Sequence, residues 1–139
     1  MKINVQVKKI RKKIQNVESQ SYELLQCPQS LRELICIMVR DSVREYNQRM
    51  HRSNPTEALS ADEMEDMIQV GKVAFGISYG NQEASVEDAI ETAVMGFADG
   101  LYRFFINDAE ITELDAPLDI CENDTVTIIR LVMLTGGFF

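Results

Sequence analysis

The sequence predicts an α+β fold: a mixed β-sheet packed on one main helix, with a helical segment inserted between that helix and the later strands. Three observations carry this expectation. The chain opens and closes on stretches patterned as strands, a single long amphipathic helix follows the first two of them, and residues from about 53 to 100 switch to helical periodicity before strand character returns. A chain of 139 residues fits one domain, 1–139, that buries roughly two thirds of its unfolded surface without a covalent staple.

Ile3, Val5 and Val7 alternate with polar residues, as in a half-buried strand. A second extended stretch, from about Val17 to Leu25, can return antiparallel after a basic turn, which makes a hairpin. Cys27-Pro28 ends it, and Ser30-Leu31-Arg32-Glu33 reads as a capping box that starts the main helix. Leu31, Leu34, Ile35, Met38, Val39 and Tyr46 fall on one face of that helix, and the pattern fades by Arg52, before Ser53-Asn54-Pro55.

The insertion spans about 53–100. Ser60 to Glu63 is a second capping box, opening a short acidic helix with Met64, Met67 and Ile68 on one side. Gly71 to Gly76 reads as a loop or short extended piece. Ser85 to Asp88 caps a further helix, whose apolar stripe is Val86, Ala89, Ile90, Ala93, Val94 and Phe97 and whose stop is Asp99-Gly100. The later strands begin with aromatic-rich Leu101 to Ile106, turned by Asn107-Asp108 and resumed at Glu110-Ile111. Asp115-Ala116-Pro117 turns the chain again, and Glu122-Asn123-Asp124 precedes the last strand.

That last strand, Thr125 to Leu134, is apolar on both faces. Val126, Ile128, Val132 and Leu134 share one side with Arg130, while Ile129, Leu131 and Met133 point the other way. One face must cover the main helix. The other is either covered by the inserted helices or left as a docking patch, which makes Arg130, Val132 and Leu134 candidate partner-binding residues. The strand runs into an exposed tail, 135–139, containing Gly136-Gly137 followed by Phe138-Phe139. Without a Cβ, a glycine pair can lie in a channel too narrow for side chains.

The order of hairpin, helix and strands ending in a parallel partner for the first strand is the β-grasp order. The stretch Phe104 to Gly137 resembles the ends of the ubiquitin-like sulfur carriers, the small subunit of molybdopterin synthase and the thiamine-pathway carrier. Asn107, Pro117-Leu118 and Asn123-Asp124 stand at places comparable to that family's Asn turn, Leu/Pro segment and acidic turn, and Gly136-Gly137 at its terminal diglycine. The "S-L-R-E-L" helix start within Met1 to Tyr46 is similar, though less specific. The helical insertion and Phe138-Phe139 depart from the family pattern. The resemblance implies a modifier or sulfur carrier trimmed by a peptidase after Gly137, then activated by an adenylating enzyme at the Gly137 carboxylate, with Gly136 giving the end its slimness. The other reading is a non-conjugated β-grasp interaction or assembly module, in which self-association remains open.

Charge and composition exclude other classes. Residues 1–52 hold 11 Lys/Arg against 5 Asp/Glu and residues 53–139 hold 3 against 17, giving +6 and −14 within a net −8. The acidic total argues against general nucleic-acid binding, and Lys8, Lys9, Arg11, Lys12 and Lys13 read as a solvated hairpin tip. Cys27, Cys36 and Cys121, odd in number and far apart, argue against a disulfide framework and a zinc site; Cys36 is expected to be buried beside the helix face and Cys121 to lie by a turn. No apolar run approaches a membrane span, so the expectation is a soluble, cytoplasmic protein without cofactor. Gly71-Lys72 lacks the phosphate-loop spacing, and Asp62, Glu63, Glu65 and Asp66 read as a solvated helix face, not a metal site. His51 is the only histidine, so a nucleophile would find few bases and catalysis by this chain is not expected.

Overall fold

The computed structural model describes residues 1–10, 14–52, 70–71, 74–77 and 85–131. Five strands form one mixed sheet: β1 (Lys2–Ile10), β2 (Ile14–Glu23), β3 (Tyr102–Ile106), β4 (Ala109–Ile111) and β5 (Thr125–Leu131), in the order β2-β1-β5-β3-β4. Among the described residues two long helices, α1 (Leu31–Arg52) and α2 (Val86–Ala98), pack with it. β1 and β5 are parallel, with Val5 beside Val126 and Val7 beside Ile128, and every other pairing is antiparallel. This is the β-grasp topology.

The alternation read from the sequence sets which side of the sheet is buried. Ile3, Val5 and Val7 of β1, Tyr102, Phe104 and Ile106 of β3, and Val126 and Ile128 of β5 face the helices, where they meet Leu31, Leu34, Ile35, Met38, Val39 and Val43 of α1. A register shift between Val7 and Lys8 leaves Val17 without an opposite residue, a bulge that lets the hairpin twist. β2 starts earlier than expected, at Ile14, because Ile14, Gln15 and Asn16 pair with Ile10, Lys9 and Lys8, and it ends at Glu23.

The ends of α1 and α2 follow local chemistry. Ser30 Oγ accepts from the Glu33 amide at 3.2 Å, but the Glu33 carboxylate accepts from the Gln29 amide at 3.1 Å, one residue upstream of the reciprocal partner expected of a capping box. At α2, Ser85 Oγ accepts from the Asp88 amide at 3.3 Å. Gly100 ends that helix at φ +76°, its amide bonded to Phe97 O at 3.0 Å and the Leu101 amide to Gly96 O at 2.9 Å, a Schellman closure that needs a residue tolerant of positive φ.

Two expectations need correction, and one alternative left open can be described in part. Gly71 to Gly76 is not simply a loop or extended piece: Val70 and Gly71 are helical, and the Phe75 and Ile77 amides both bond to Gly71 O, at 3.1 and 3.2 Å. Val70, Ala74, Phe75 and Ile77 join the core, and tertiary burial overrides the turn signal of the glycines. The described part of the insertion does not cover the outer sheet face, because α2 packs on α1 and β3, the side the main helix already occupies. Cys36 is partly exposed, since it lies on the flank of α1 and not under it. The acidic helix expected from Ser60 lies outside the described residues.

Candidate functional site

The tail expected to carry function leaves from β5, and the residues at its root can be described. Leu131, at the end of β5, bonds its amide to Leu101 O at 3.0 Å, so the strand stays in the sheet to that point. Arg130 points to the helical side, in a row with Lys9 of β1 and Tyr102 of β3. Its Nη1 donates to Ala74 O at 3.2 Å, across the middle of the insertion. Gly76 lies against the same guanidinium: a Cβ there would come within 3.1 Å of both Nη1 and Nη2, and its φ of +72° already favours glycine. Burial holds the Arg130 pKa below its ordinary value, although the nearby Tyr102 opposes this.

Tyr102 joins α2 to the same spot. Its hydroxyl donates to Ala93 O at 2.6 Å, and its ring meets Phe75 and Phe97 edge-on at 5.5 and 5.9 Å between centroids. Gly96 makes room for that ring, since a Cβ at Gly96 would stand 3.3 Å from Tyr102 Cε1. Desolvation pushes the phenol pKa well above its usual range, so Tyr102 stays a neutral donor.

Of the residues expected to matter, Arg130 is therefore engaged with the insertion. Val132, Leu134, Gly136, Gly137, Phe138 and Phe139 lie outside the described residues. The opposite side of the sheet is the second face of β5, the one expected either to be covered by the inserted helices or to be left as a docking patch. Gln6, Thr127 and Phe105 form one cross-strand row and Lys8, Ile129 and Arg103 the next, with Leu131 beyond. Phe105, Ile129 and Leu131 are partly exposed there. The alternation of Arg103 and Phe105 against buried Tyr102, Phe104 and Ile106 was the signal that could have extended that face to β3.

At the far end of the sheet two turns are locked together. Asn107 adopts φ +54°, its amide donates to Thr125 O at 2.7 Å, and its Oδ1 accepts from the Thr125 amide at 3.1 Å. Its Nδ2 donates to Asp124 Oδ1 at 3.2 Å, and Asp124 Oδ2 accepts from the Cys121 amide at 2.8 Å. The Asn turn and the acidic turn named for the family resemblance thus join one network that starts β5 in register with β1.

An open depression of about 380 Å³ between β2 and α1 is lined by Tyr22, Glu23, Asp41, Arg44, Glu45 and Gln48. The Tyr22 hydroxyl and the Arg44 guanidinium both donate to the Asp41 carboxylate, so these three groups satisfy one another and read as packing of α1 onto the sheet edge. Among the described residues no three His, Cys, Asp or Glu side chains are grouped to hold a metal ion, and no helix is long and apolar enough to cross a membrane.

Set against known proteins, the chain matches no family model, no curated protein and no solved structure, so the likeness of Phe104 to Gly137 to the sulfur carriers rests on the quoted residues and on the strand order alone.

Proposed function

We propose that this chain is a ubiquitin-like modifier or sulfur carrier, itself non-catalytic, whose tail is trimmed after Gly137 and then activated at the Gly137 carboxylate. The observation that carries the reading is the course of β5. It runs through the middle of a β-grasp sheet parallel to β1, and its end at Leu131 leads directly into Val132-Met133-Leu134-Thr135-Gly136-Gly137. A rigid central strand fixes where a slim tail begins, which an adenylating enzyme needs in order to place a carboxylate against ATP. The chemistry at that carboxylate is acyl-adenylate formation followed by transfer to a sulfur or nitrogen nucleophile. Both steps belong to partner enzymes, and a peptidase must first remove Phe138 and Phe139.

Intact-mass measurement of the protein from its native cell tests the proposal. The expected species lacks both phenylalanines, and part of it carries a sulfur-for-oxygen exchange or is joined to another protein. A uniform full-length mass, with no adduct, would sink the reading. Gly136→Val should block activation without unfolding the protein, because a Cβ obstructs threading.

The second reading, an interaction module that forms no covalent bond, is favoured by the half-exposed rows on the outer sheet face. Phe105, Ile129 and Leu131 offer apolar contact there, flanked by Lys8 and Arg103. Under that reading the tail stays whole, and substitution of Ile129 abolishes partner binding.

A further inference from the structure

Two exposed thiols lie in segments tied by hydrogen bonds at the end of the sheet opposite the tail root. Cys27 belongs to the stretch from Leu24 to Gln29, which leads from β2 into α1, and Cys121 to the stretch from Leu118 to Asn123, which leads into β5. The two stretches are tied at both ends. At one end the Leu118 amide donates to Gln29 O at 3.0 Å, beside an antiparallel bridge between Ser30 and Pro117. At the other, the first residues of the chain join them: the Leu24 amide donates to Met1 O at 2.8 Å and the Asn123 amide to Lys2 O at 2.7 Å. The circuit closes antiparallel, with one cysteine in the interior of each arm. Consistently, Cys27 is among the charges that Cys121 senses.

We propose that Cys27 and Cys121 are a reversible disulfide site, which on oxidation staples the entry of α1 to the entry of β5. With glutathione disulfide as oxidant the step balances. One protein thiolate attacks a glutathione sulfur and expels the first glutathione; the second protein thiolate attacks the mixed disulfide and expels the other. The protein pair loses two electrons and two protons, which end on the two glutathione thiols. The carboxylates of Asp119 and Asp124 disfavour a thiolate at Cys121, so closure speeds up as pH rises. Cys36, on the flank of α1, takes no part. The arms lie at the opposite end of β5 from Leu131, so closure leaves the tail root unchanged and the site is independent of the proposed activation chemistry.

The test uses the full chain incubated with glutathione disulfide, followed by intact mass, alkylation and peptide mapping. The expected product is a monomer lighter by two hydrogens, with one cross-linked peptide pair containing Cys27 and Cys121 and with Cys36 still alkylated. Closure should accelerate several-fold between neutral and mildly alkaline pH. Cys27→Ser and Cys121→Ser should each stop at a stable glutathione adduct on the remaining thiol. Glutathione adducts that persist on both Cys27 and Cys121 of the parent chain would overturn the proposal, as would a cross-link to Cys36 or between copies.

Discussion

Arg130 of β5 and Ala74 of the insertion are joined by a 3.2 Å bond from guanidinium to carbonyl, so the strand that leads into the tail is held by residues far from it in sequence. Arg130→Ala should loosen the segment around Ala74 and cost roughly 1–3 kcal/mol, as for a hydrogen bond to a charged group in a half-buried place. Hydrogen exchange should show faster opening of that segment, with the rates of β1 and β5 little changed. Gly76→Ala should also destabilise, because φ +72° is unfavourable for alanine and the Cβ meets the same guanidinium. In the double variant the clash disappears while the strain remains, so denaturant melts should give less than the sum of the two.

The second prediction concerns the parallel pair at the centre of the sheet. Leu34 and Ile128 are both fully buried, one on α1 and the other on β5. Leu34→Ala or Ile128→Ala should each cost about 2–5 kcal/mol by chemical denaturation. A cost under about 0.5 kcal/mol at both sites would mean that the core lies elsewhere.

Tyr102 should hold α2 to the sheet. Tyr102→Phe removes the bond to Ala93 O and should cost about 1 kcal/mol, with the rings still packed. Ile90→Glu, on the partly buried face of the same helix, should detach α2 or unfold the protein. Circular dichroism and a melting curve distinguish these outcomes, and an unchanged melt would place that stripe in solvent.

The Asn107 to Asp124 network should behave as a unit. Asn107→Gly keeps the positive φ but loses both side-chain bonds, whereas Asn107→Ala loses the bonds and strains the turn as well. Alanine should therefore be the less stable of the two by about 1 kcal/mol in thermal or denaturant melts. Equal stabilities would show that the turn does not depend on positive φ.

Acid should expose one ion pair. The Arg32 guanidinium, 2.8 Å from Asp115, holds that carboxyl below its usual 3.8. Since the folded value lies below the unfolded one, the contribution is fully present above about pH 4 and is lost as pH falls through the folded value. Both side chains are well exposed, so the effect should be small and should fade in salt. Comparing acid melts of the parent and Asp115→Asn at low and high ionic strength measures it.

Much of this fold is written in local pattern. The alternation of Ile3, Val5 and Val7, the Ser30 and Ser85 caps, the stripe of α1 and the Asp99-Gly100 stop each depend on residues within a few positions, where backbone geometry and solvent exposure follow from spacing alone. Tertiary structure decided what those patterns could not. The sequence marks β5 as apolar on both faces, but only packing chose its partners: α1 and residues 70–71 and 74–77 took one face, and Phe105, Ile129 and Leu131 were left half-exposed on the other. Gly71 and Gly76 read as turn residues, yet with Val70, Ala74, Phe75 and Ile77 buried, Gly71 is helical, while Gly76 keeps a positive φ against the Arg130 guanidinium. Cys27 and Cys121 are remote in sequence, and their loops are neighbours only because hydrogen bonds through Met1, Lys2 and Gln29 tie the two together. Spacing along a chain fixes periodicity and caps; which distant groups meet is set by the burial of whole faces, a property of the assembled sheet and helices.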